Sequence, residues 1–326
     1  MKFLDLFAGI GGFRLGMEAA GHECVGFCEV DKFARKSYKA IHDTKGEIEL
    51  HDITEVSDDT IRGIGHVDVI CGGFPCQAFS IAGNRRGFED TRGTLFFEIA
   101  RFASILRPQY LFLENVKGLL NHDRGNTFEV ILSALDELGY DVEWQVLNSK
   151  NFGVPQNRER VFIVGHLRGE CTRKIFPFGS GDEEIDSLPQ QSTNTLTVRY
   201  GSAQSNGSYI IESEQKKIRI KEATSQGYAE VTIGDSVNIS HPNSKTRRGR
   251  VGKQIANTLL TGESQGVVEP DFRVRKLTPK ECWRLQGFPD WAFDKAKEVN
   301  SNSQLYKQAG NSVTVNVIAA IAKELK

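Results

Sequence analysis

Between Lys2 and Gly165 the chain alternates dense apolar runs with stretches where apolar residues recur every three or four positions. These are the marks of buried strands and amphipathic helices. Lys2–Phe7 is strand-like and opens into Ala8-Gly9-Ile10-Gly11-Gly12, and Phe13–Ala20 reads as a helix stopped at Gly21. Glu23–Val30 is a second strand, after which Asp31 caps a helix running to about His42. Glu47–Ile53 alternates, Val67–Gly73 is buried-strand-like, and Thr94–Leu106 is helical and ends before Pro108. Gln109–Val116 is a strand, Asn126–Leu138 a helix closed by Gly139, and Val161–Gly165 another strand. Strand and helix in alternation predict an α/β fold with a parallel, doubly wound sheet.

After about Gly179 the pattern changes. Ser, Gln, Asn, Thr and Gly dominate, helical periodicity disappears, and short β-like runs stand between turn residues. Asn194-Thr195-Leu196-Thr197 before Tyr209-Ile210-Ile211-Glu212 is echoed by Asn257-Thr258-Leu259-Leu260-Thr261 before Val267-Val268-Glu269, which chance or a duplicated hairpin would each produce. Helix signals return at Thr278-Pro279-Lys280-Glu281, a cap with proline in the first turn, and end with Val313–Leu325. The division expected is a large domain begun by 1–178, a smaller irregular β-rich region at 179–285, and a return segment, 286–326, that completes the large domain.

The 326 residues are too many for one simple core and too few for three domains. With 39% apolar and 25% charged residues, wholesale disorder is not expected. No apolar run approaches the roughly 20 residues needed to cross a bilayer. The opening MKFLDLFAGIGGF, with aspartate soon after its lysine, is not expected to be a secretory signal. A cytoplasmic protein off the membrane is the simplest expectation. The net charge of −1 leaves local patches open. Six cysteines, of which only Cys24 and Cys28 are close, do not read as a disulfide framework, and with seven scattered histidines no metal site is expected.

Candidate chemistry collects where strands end, the place where doubly wound sheets bind ligands. The first strand runs into the glycine loop, the second ends at Glu29, the third at Asp52, the fourth at Phe74-Pro75-Cys76-Gln77 and the fifth at Glu114-Asn115. Arg14 stands where a dinucleotide fingerprint needs its third glycine, which disfavours a pyrophosphate ligand and a nicotinamide enzyme. An acid after the second strand suits ribose hydroxyls, so S-adenosylmethionine fits; a turn cluster with a solvated Glu29 is the bland alternative. Cys76 follows a proline in a loop, where packing gains little from a thiol, and cysteine is the best nucleophile available once ionised. A lone cysteine is more often structural, so its company decides. That company is Glu114, costly at a buried strand end unless it pairs or works, together with Arg158 and Arg160, two apart before an apolar strand and able to share one face.

The ordered runs DLFAGIGGF, GFPCQAFS, RGTLFFE, ENVKGL, QNRER and QAGNSVTVNVI resemble the motif set of the DNA (cytosine-5) methyltransferases, especially bacterial restriction–modification enzymes. The resemblance covers roughly 1–166 and 271–326. It implies the mixed, doubly wound sheet of class I S-adenosylmethionine-dependent methyltransferases, with 179–285 as the target-recognition domain. It places Phe7 against the adenine, Gly9 and Gly11 beside the methionine moiety and Glu29 at the ribose hydroxyls, with Ala8, Gly12 and Val30 also in the cofactor site. Asp52 and Ile53 take the adenine edge, while Leu95 and Asn311-Ser312-Val313 close the pocket. Cys76 is implied as nucleophile with Pro75 shaping its loop, Glu114 at the pyrimidine N3 and exocyclic amine, Arg160 at O2, and Arg158 in support.

That chemistry needs those residue types. Cytosine C5 is a poor nucleophile until thiolate adds at C6, and Glu114 and an arginine would then prevent negative charge building on the ring. The target carbon is stacked inside a duplex, so the base must be flipped. The glycine- and arginine-bearing stretch Ile81–Arg92 suits a mobile lid, with Arg85 and Arg86 reaching phosphates beside Gln77 and Ser80; a plain surface loop is the alternative. Lys245-Thr246-Arg247-Arg248-Gly249-Arg250-Val251-Gly252-Lys253 packs five basic residues into nine positions, suiting phosphates and guanine edges. Thr258-Leu259, or alternatively Thr195-Leu196, resembles the Thr-Leu pair of this region in the family. The expected partner is double-stranded DNA, read by a monomer, with a cognate restriction endonuclease acting on the same site without stable association. An RNA (tRNA) cytosine-5 methyltransferase and a catalytically silent DNA-binding relative are the competing readings.

Overall fold

The computed structural model describes residues 1–75, 95–170, 173–178, 218–240, 246, 248–262, 264–271 and 273–326. Its main sheet contains β1 (Lys2–Leu6), β2 (Glu23–Cys28), β3 (Ile48–Leu50), β4 (Val69–Gly73), β5 (Tyr110–Val116), β6 (Tyr140–Asn148) and, after the two-residue β7 (Gln156–Asn157), β8 (Glu159–Leu167). The spatial order is β3-β2-β1-β4-β5-β8-β6. β1 to β5 are mutually parallel, whereas β8 runs antiparallel between β5 and β6. The sheet is therefore mixed, correcting the all-parallel reading of the alternation. The physical reason is the connection 149–158, too short for the crossover of a dozen or more residues that a parallel pair requires. β6 itself escaped sequence reading because it is an edge strand with mixed faces, leaving Trp144 44% exposed.

Among the described residues five α-helices serve the first half: α1 (Gly12–Ala19), α2 (Lys32–Ile41), α3 (Asp58–Gly63), α4 (Leu95–Leu106) and α5 (Asn126–Glu137). Asp31 caps α2 as expected, accepting the Phe33 and Ala34 N–H groups at 2.8 and 3.3 Å. One core joins Leu4, Leu6, Ile70, Leu111 and Leu113 to Ile99, Phe102, Ile131 and Leu135 of α4 and α5. On the opposite face Phe3, Val69, Cys71 and Phe112 meet Phe13 and Met17 of α1 and Val317, Ile318 and Ile321. Arg14, buried on α1, pairs with Glu18 and Glu47 at 2.7 Å each. Its place at the third fingerprint position is thus a structural one.

In the central region β9 (Ile218–Lys221) and β10 (Tyr228–Val231) form a hairpin beside β11 (Ser236–Asn238), β12 (Val251–Gly252), β14 (Gln265–Val268) and β15 (Val274–Lys276), a four-stranded antiparallel sheet in the order β12-β11-β14-β15. Between them β13 (Ala256–Asn257) pairs in parallel with β7. Among the described residues the shared core is small: Val231, Val237 and Val268, with Ile218 and Ile220 against them. Of the internal echo, 194–212 lies outside the described residues.

The chain then builds α6 (Pro279–Leu285), α7 (Asp290–Val299), α8 (Asn302–Asn311) and α9 (Val315–Ala322). Thr278 and Glu281 form the reciprocal cap expected before Pro279. Cys282 and Trp283 of α6 share a core with Leu259, Phe288, Phe293, Leu305 and the α2 residues Ala34 and Ile41. α6 and Leu259 thus pack against the first half of the chain through Ile10, Ala34 and Ile41. Among the described residues no helix is long and apolar enough to cross a membrane, and no group of three or more His, Cys, Asp or Glu is placed to hold a metal.

Candidate active site

The carboxyl ends of β1, β2, β4 and β5, the start of β8 and the turn after α8 enclose a cavity of about 440 Å³, inside the roughly 300–1,000 Å³ usual for small-molecule sites. At one end β1 delivers Phe7, with a left-handed φ of 55°, and then Ala8 and Gly9. Glu29 crosses to this loop: one carboxylate oxygen accepts the Gly9 N–H and the other the Asp31 N–H, both at 2.7 Å. Burial pushes the Glu29 pKa up, and those two backbone donors oppose it. A Cβ built on Gly9 meets nothing within 4 Å, so the backbone there faces open cavity. Gly11 caps α1 with φ 84°, and a Cβ on it would overlap the His42 ring. Glycine is needed there for two independent reasons.

At the other end Glu114, 7% exposed on β5, pairs with Arg160 on β8, Nε to Oε1 at 3.0 Å. Their strands are neighbours in antiparallel register, which brings the pair together although 46 positions separate them in sequence. Burial pushes the Glu114 pKa up, while Arg160 and Arg158 pull against it. Gly73 on the adjacent strand leaves room, since a Cβ there would lie 3.0 Å from Glu114 Oε2. Asn115 donates to the Phe74 carbonyl at 2.9 Å and so braces the residue before Pro75.

Arg158 is buried and donates to three carbonyls: Ser312 at 2.8 Å, Gly310 at 3.2 Å and Leu259 at 3.4 Å. Burial, with Arg160 adding to it and Glu114 opposing, lowers its pKa to about 9. That still leaves a charged guanidinium at neutral pH. Ser312 and Val313 close the pocket against Gly12, where a Cβ would lie 2.8 Å from both side chains. At the rim Lys307 on α8 pairs with Asp31 at 2.6 Å, tying the cap of α2 to the far end of the chain.

Phe7, Ala8, Gly9, Gly12, Glu29, Pro75, Glu114, Arg158, Arg160, Asn311, Ser312 and Val313 all line this one cavity. Gly11, Val30, Asp52, Ile53 and Leu95 do not line it: Val30 is 65% exposed, Ile53 is buried in the core, and Asp52 caps the short turn Ile53–Glu55 through the Thr54 N–H and hydroxyl. Cys76, Gln77, Ser80, Arg85, Arg86, Lys245 and Arg247 lie outside the described residues. Two expected DNA contacts need correction. Arg250 is buried, donating to the carbonyls of Asn238 and Lys221, and Leu259 is a core residue 4% exposed; neither side chain is available to DNA. Arg248 is exposed with its Nε on the Ala223 carbonyl, Lys253 reaches Glu230 O and Asp235, and Thr258 donates to the Asn157 carbonyl. Sequence reading missed Asp31 and Lys307 at the rim, and Gln156 and Gln286 behind the arginines. Lys307 stands immediately before the QAGNSV motif, which was the one signal pointing to it.

With this geometry in hand, comparison with known proteins gives a consistent result. The family model for C-5 cytosine-specific DNA methylase matches residues 1–326. The chain is 37% identical to Type II methyltransferase M.HhaI of Haemophilus parahaemolyticus over 331 residues, covering 99% of this chain and 93% of that protein. It is 38% identical to Type II methyltransferase M.HpaII of Haemophilus parainfluenzae over 330 residues, covering 99% and 88%. Among solved structures, a putative DNA modification methyltransferase encoded within an E. coli prophage matches with a TM-score of 0.64 at 20% identity, covering 99% of this chain and 98% of that one. The S. pombe Dnmt2 methyltransferase matches at 0.62 and 19%, covering 98% and 96%. These two likenesses concern the fold.

Proposed function

The chain belongs to the C-5 cytosine-specific DNA methylase family, and on that premise we propose that it methylates carbon 5 of a cytosine flipped out of a short duplex DNA site, with S-adenosylmethionine as donor. The carrying observation is the buried Glu114–Arg160 pair, in one cavity with the Glu29–Gly9 loop. The cavity fits that donor. Glu29 has met two backbone N–H groups and keeps lone pairs for ribose hydroxyls. The open face of Gly9 accommodates the amino-acid part, and Phe7 borders the same space. When bound, S-adenosylmethionine supplies an electrophilic methyl group on a sulfonium.

The remaining work falls to the chain. Cys76, next in sequence to Pro75, adds as thiolate to C6 of the flipped base, and the C5–C6 π pair shifts to make C5 nucleophilic. Glu114, its pKa raised by burial, holds a proton at N3 so that the ring does not build negative charge. Arg160 donates to O2 and disperses the same charge. Arg158 keeps the pocket-closing turn and the base end in register through its three carbonyl contacts. After methyl transfer the C5 proton leaves to a base, its bonding pair re-forms C5=C6, and the thiolate departs. Arg85 and Arg86, which follow the nucleophile in sequence, would reach phosphates. In the cell the modification would shield the site from a companion restriction endonuclease, as suits a monomeric cytoplasmic relative of the Type II methyltransferases.

Bisulfite sequencing of DNA from cells expressing the protein tests this: converted cytosines everywhere except at one short recurring sequence are expected. Duplexes carrying 5-fluorocytosine at that position should trap the natural chain covalently but not Cys76→Ser. Full bisulfite conversion of DNA with methylated tRNA from the same cells would overturn the DNA reading.

A further inference from the structure

Gln156 is fully buried, and both ends of its amide are engaged. Its Oε1 accepts the Leu259 N–H at 3.0 Å, while Nε2 donates to the Leu285 carbonyl at 2.8 Å and to Gln286 Oε1 at 3.2 Å. Gln286, also fully buried, donates to the carbonyls of Ala309 at 2.6 Å and Ser312 at 3.3 Å and accepts the Thr314 hydroxyl at 3.0 Å. Arg158 adds the Leu259, Gly310 and Ser312 carbonyls. Gly310 completes the contact, because a Cβ on it would overlap the Leu260 carbonyl.

Two segments far apart in sequence therefore share one set of hydrogen-bond partners. One is Ala256–Leu260, which follows the basic run and runs along β7. The other is Gly310–Val313, which lines the cavity; residues 256–260 do not. If either segment shifts, it strands buried amides or carbonyls of the other, and an unpaired buried polar group is costly. We propose that Gln156 is a positioning residue that couples these two segments, so that a ligand ordering the Gly310–Val313 turn also orders Ala256–Leu260. Donor binding and the ordering of 256–260 then favour one another, by the reciprocity that coupled equilibria obey. This rests on the donor assignment of the cavity made above.

Amide hydrogen exchange on the full chain, with S-adenosylhomocysteine as the probe and no DNA, tests it. Saturating probe should slow exchange at Ser312 and, although it lies off the cavity, at Leu259 by about fivefold or more, the lower end of typical coupling. In Gln156→Leu the slowing at Ser312 should persist, while the bound-to-free ratio at Leu259 falls towards one. A purely structural role would raise the Leu259 rates with and without probe alike and leave that ratio unchanged. Protection confined to cavity-lining segments of the natural chain, or a full Leu259 response in Gln156→Leu, overturns the coupling. The natural-chain result stands by itself should Gln156→Leu not fold. Absence of probe binding overturns the donor assignment and the coupling together.

Discussion

Arg160 and Arg250 are both arginines in short basic runs, and the molecule uses them in opposite ways. On the main sheet Arg160 lies across β5 from Glu114 and lines the cavity. In the small β region Arg250 is more deeply buried and holds β9 and β11 together through the carbonyls of Lys221 and Asn238. The first region draws on an extensive core and can support a costly buried ion pair. Among the described residues the second has three valines as its fully buried core, and its strands are held partly by side-chain-to-backbone bonds. A charge in a small domain is thus as readily scaffold as reader.

The contrast breaks most visibly at Glu114. Glu114→Gln should lower methyl transfer by about 100-fold or more, the scale of a positioned proton-holding group, while S-adenosylhomocysteine affinity stays within about twofold. A variant that turns over normally would make the buried pair scaffold too. Next in size, Arg250→Met should cost about 2 kcal/mol by urea unfolding, because it strands buried carbonyls, whereas Arg248→Met at the surface should stay within about 0.5 kcal/mol. Loss of DNA affinity in Arg250→Met without a shifted midpoint would restore it as a reader. The smallest effect concerns Lys307 and Asp31. Burial would raise the Asp31 pKa, but Lys307 and the capping N–H groups outweigh it and hold the carboxyl below its usual range. A depressed acid stabilises the fold above its unfolded pKa, about 3.9, and loses that contribution as pH falls through the folded value. Lys307→Met should therefore be less stable by about 0.5 kcal/mol at neutral pH, allowing for solvent screening, and the gap should close in acid. A gap that widened in acid would give the pair a different role.

How much was legible in the sequence follows the same divide. The parallel strands β1, β2, β4 and β5 announce themselves as apolar runs because both of their faces are covered, and their ends carry Glu29, Pro75 and Glu114 into one cavity. The edge strand β6, with solvent on one side, carries no such signal. Gly9 and Arg160 were readable from their motifs, whereas Asp52 caps the turn at Ile53–Glu55 and Val30 is exposed, neither lining the cavity. Gln156 and Gln286 read as ordinary polar residues; their burial arises from segments more than 120 positions apart meeting behind the arginines. Arg250 sits in a run whose spacing suits DNA, and no local pattern distinguishes a guanidinium that faces solvent from one folded back onto its own strands.

Gly16 on α1 has one further consequence. A Cβ there would lie 2.6 Å from Ile318, so α9 is seated directly on the first helix of the chain. A ribosome finishes the glycine loop, the acid of β2 and the pair-bearing strands long before it supplies the helix that covers α1 and the turn that closes the pocket. A chain lacking α9 would expose the bare flank of α1, and one lacking the Gly310–Val313 turn would leave the cavity without one wall.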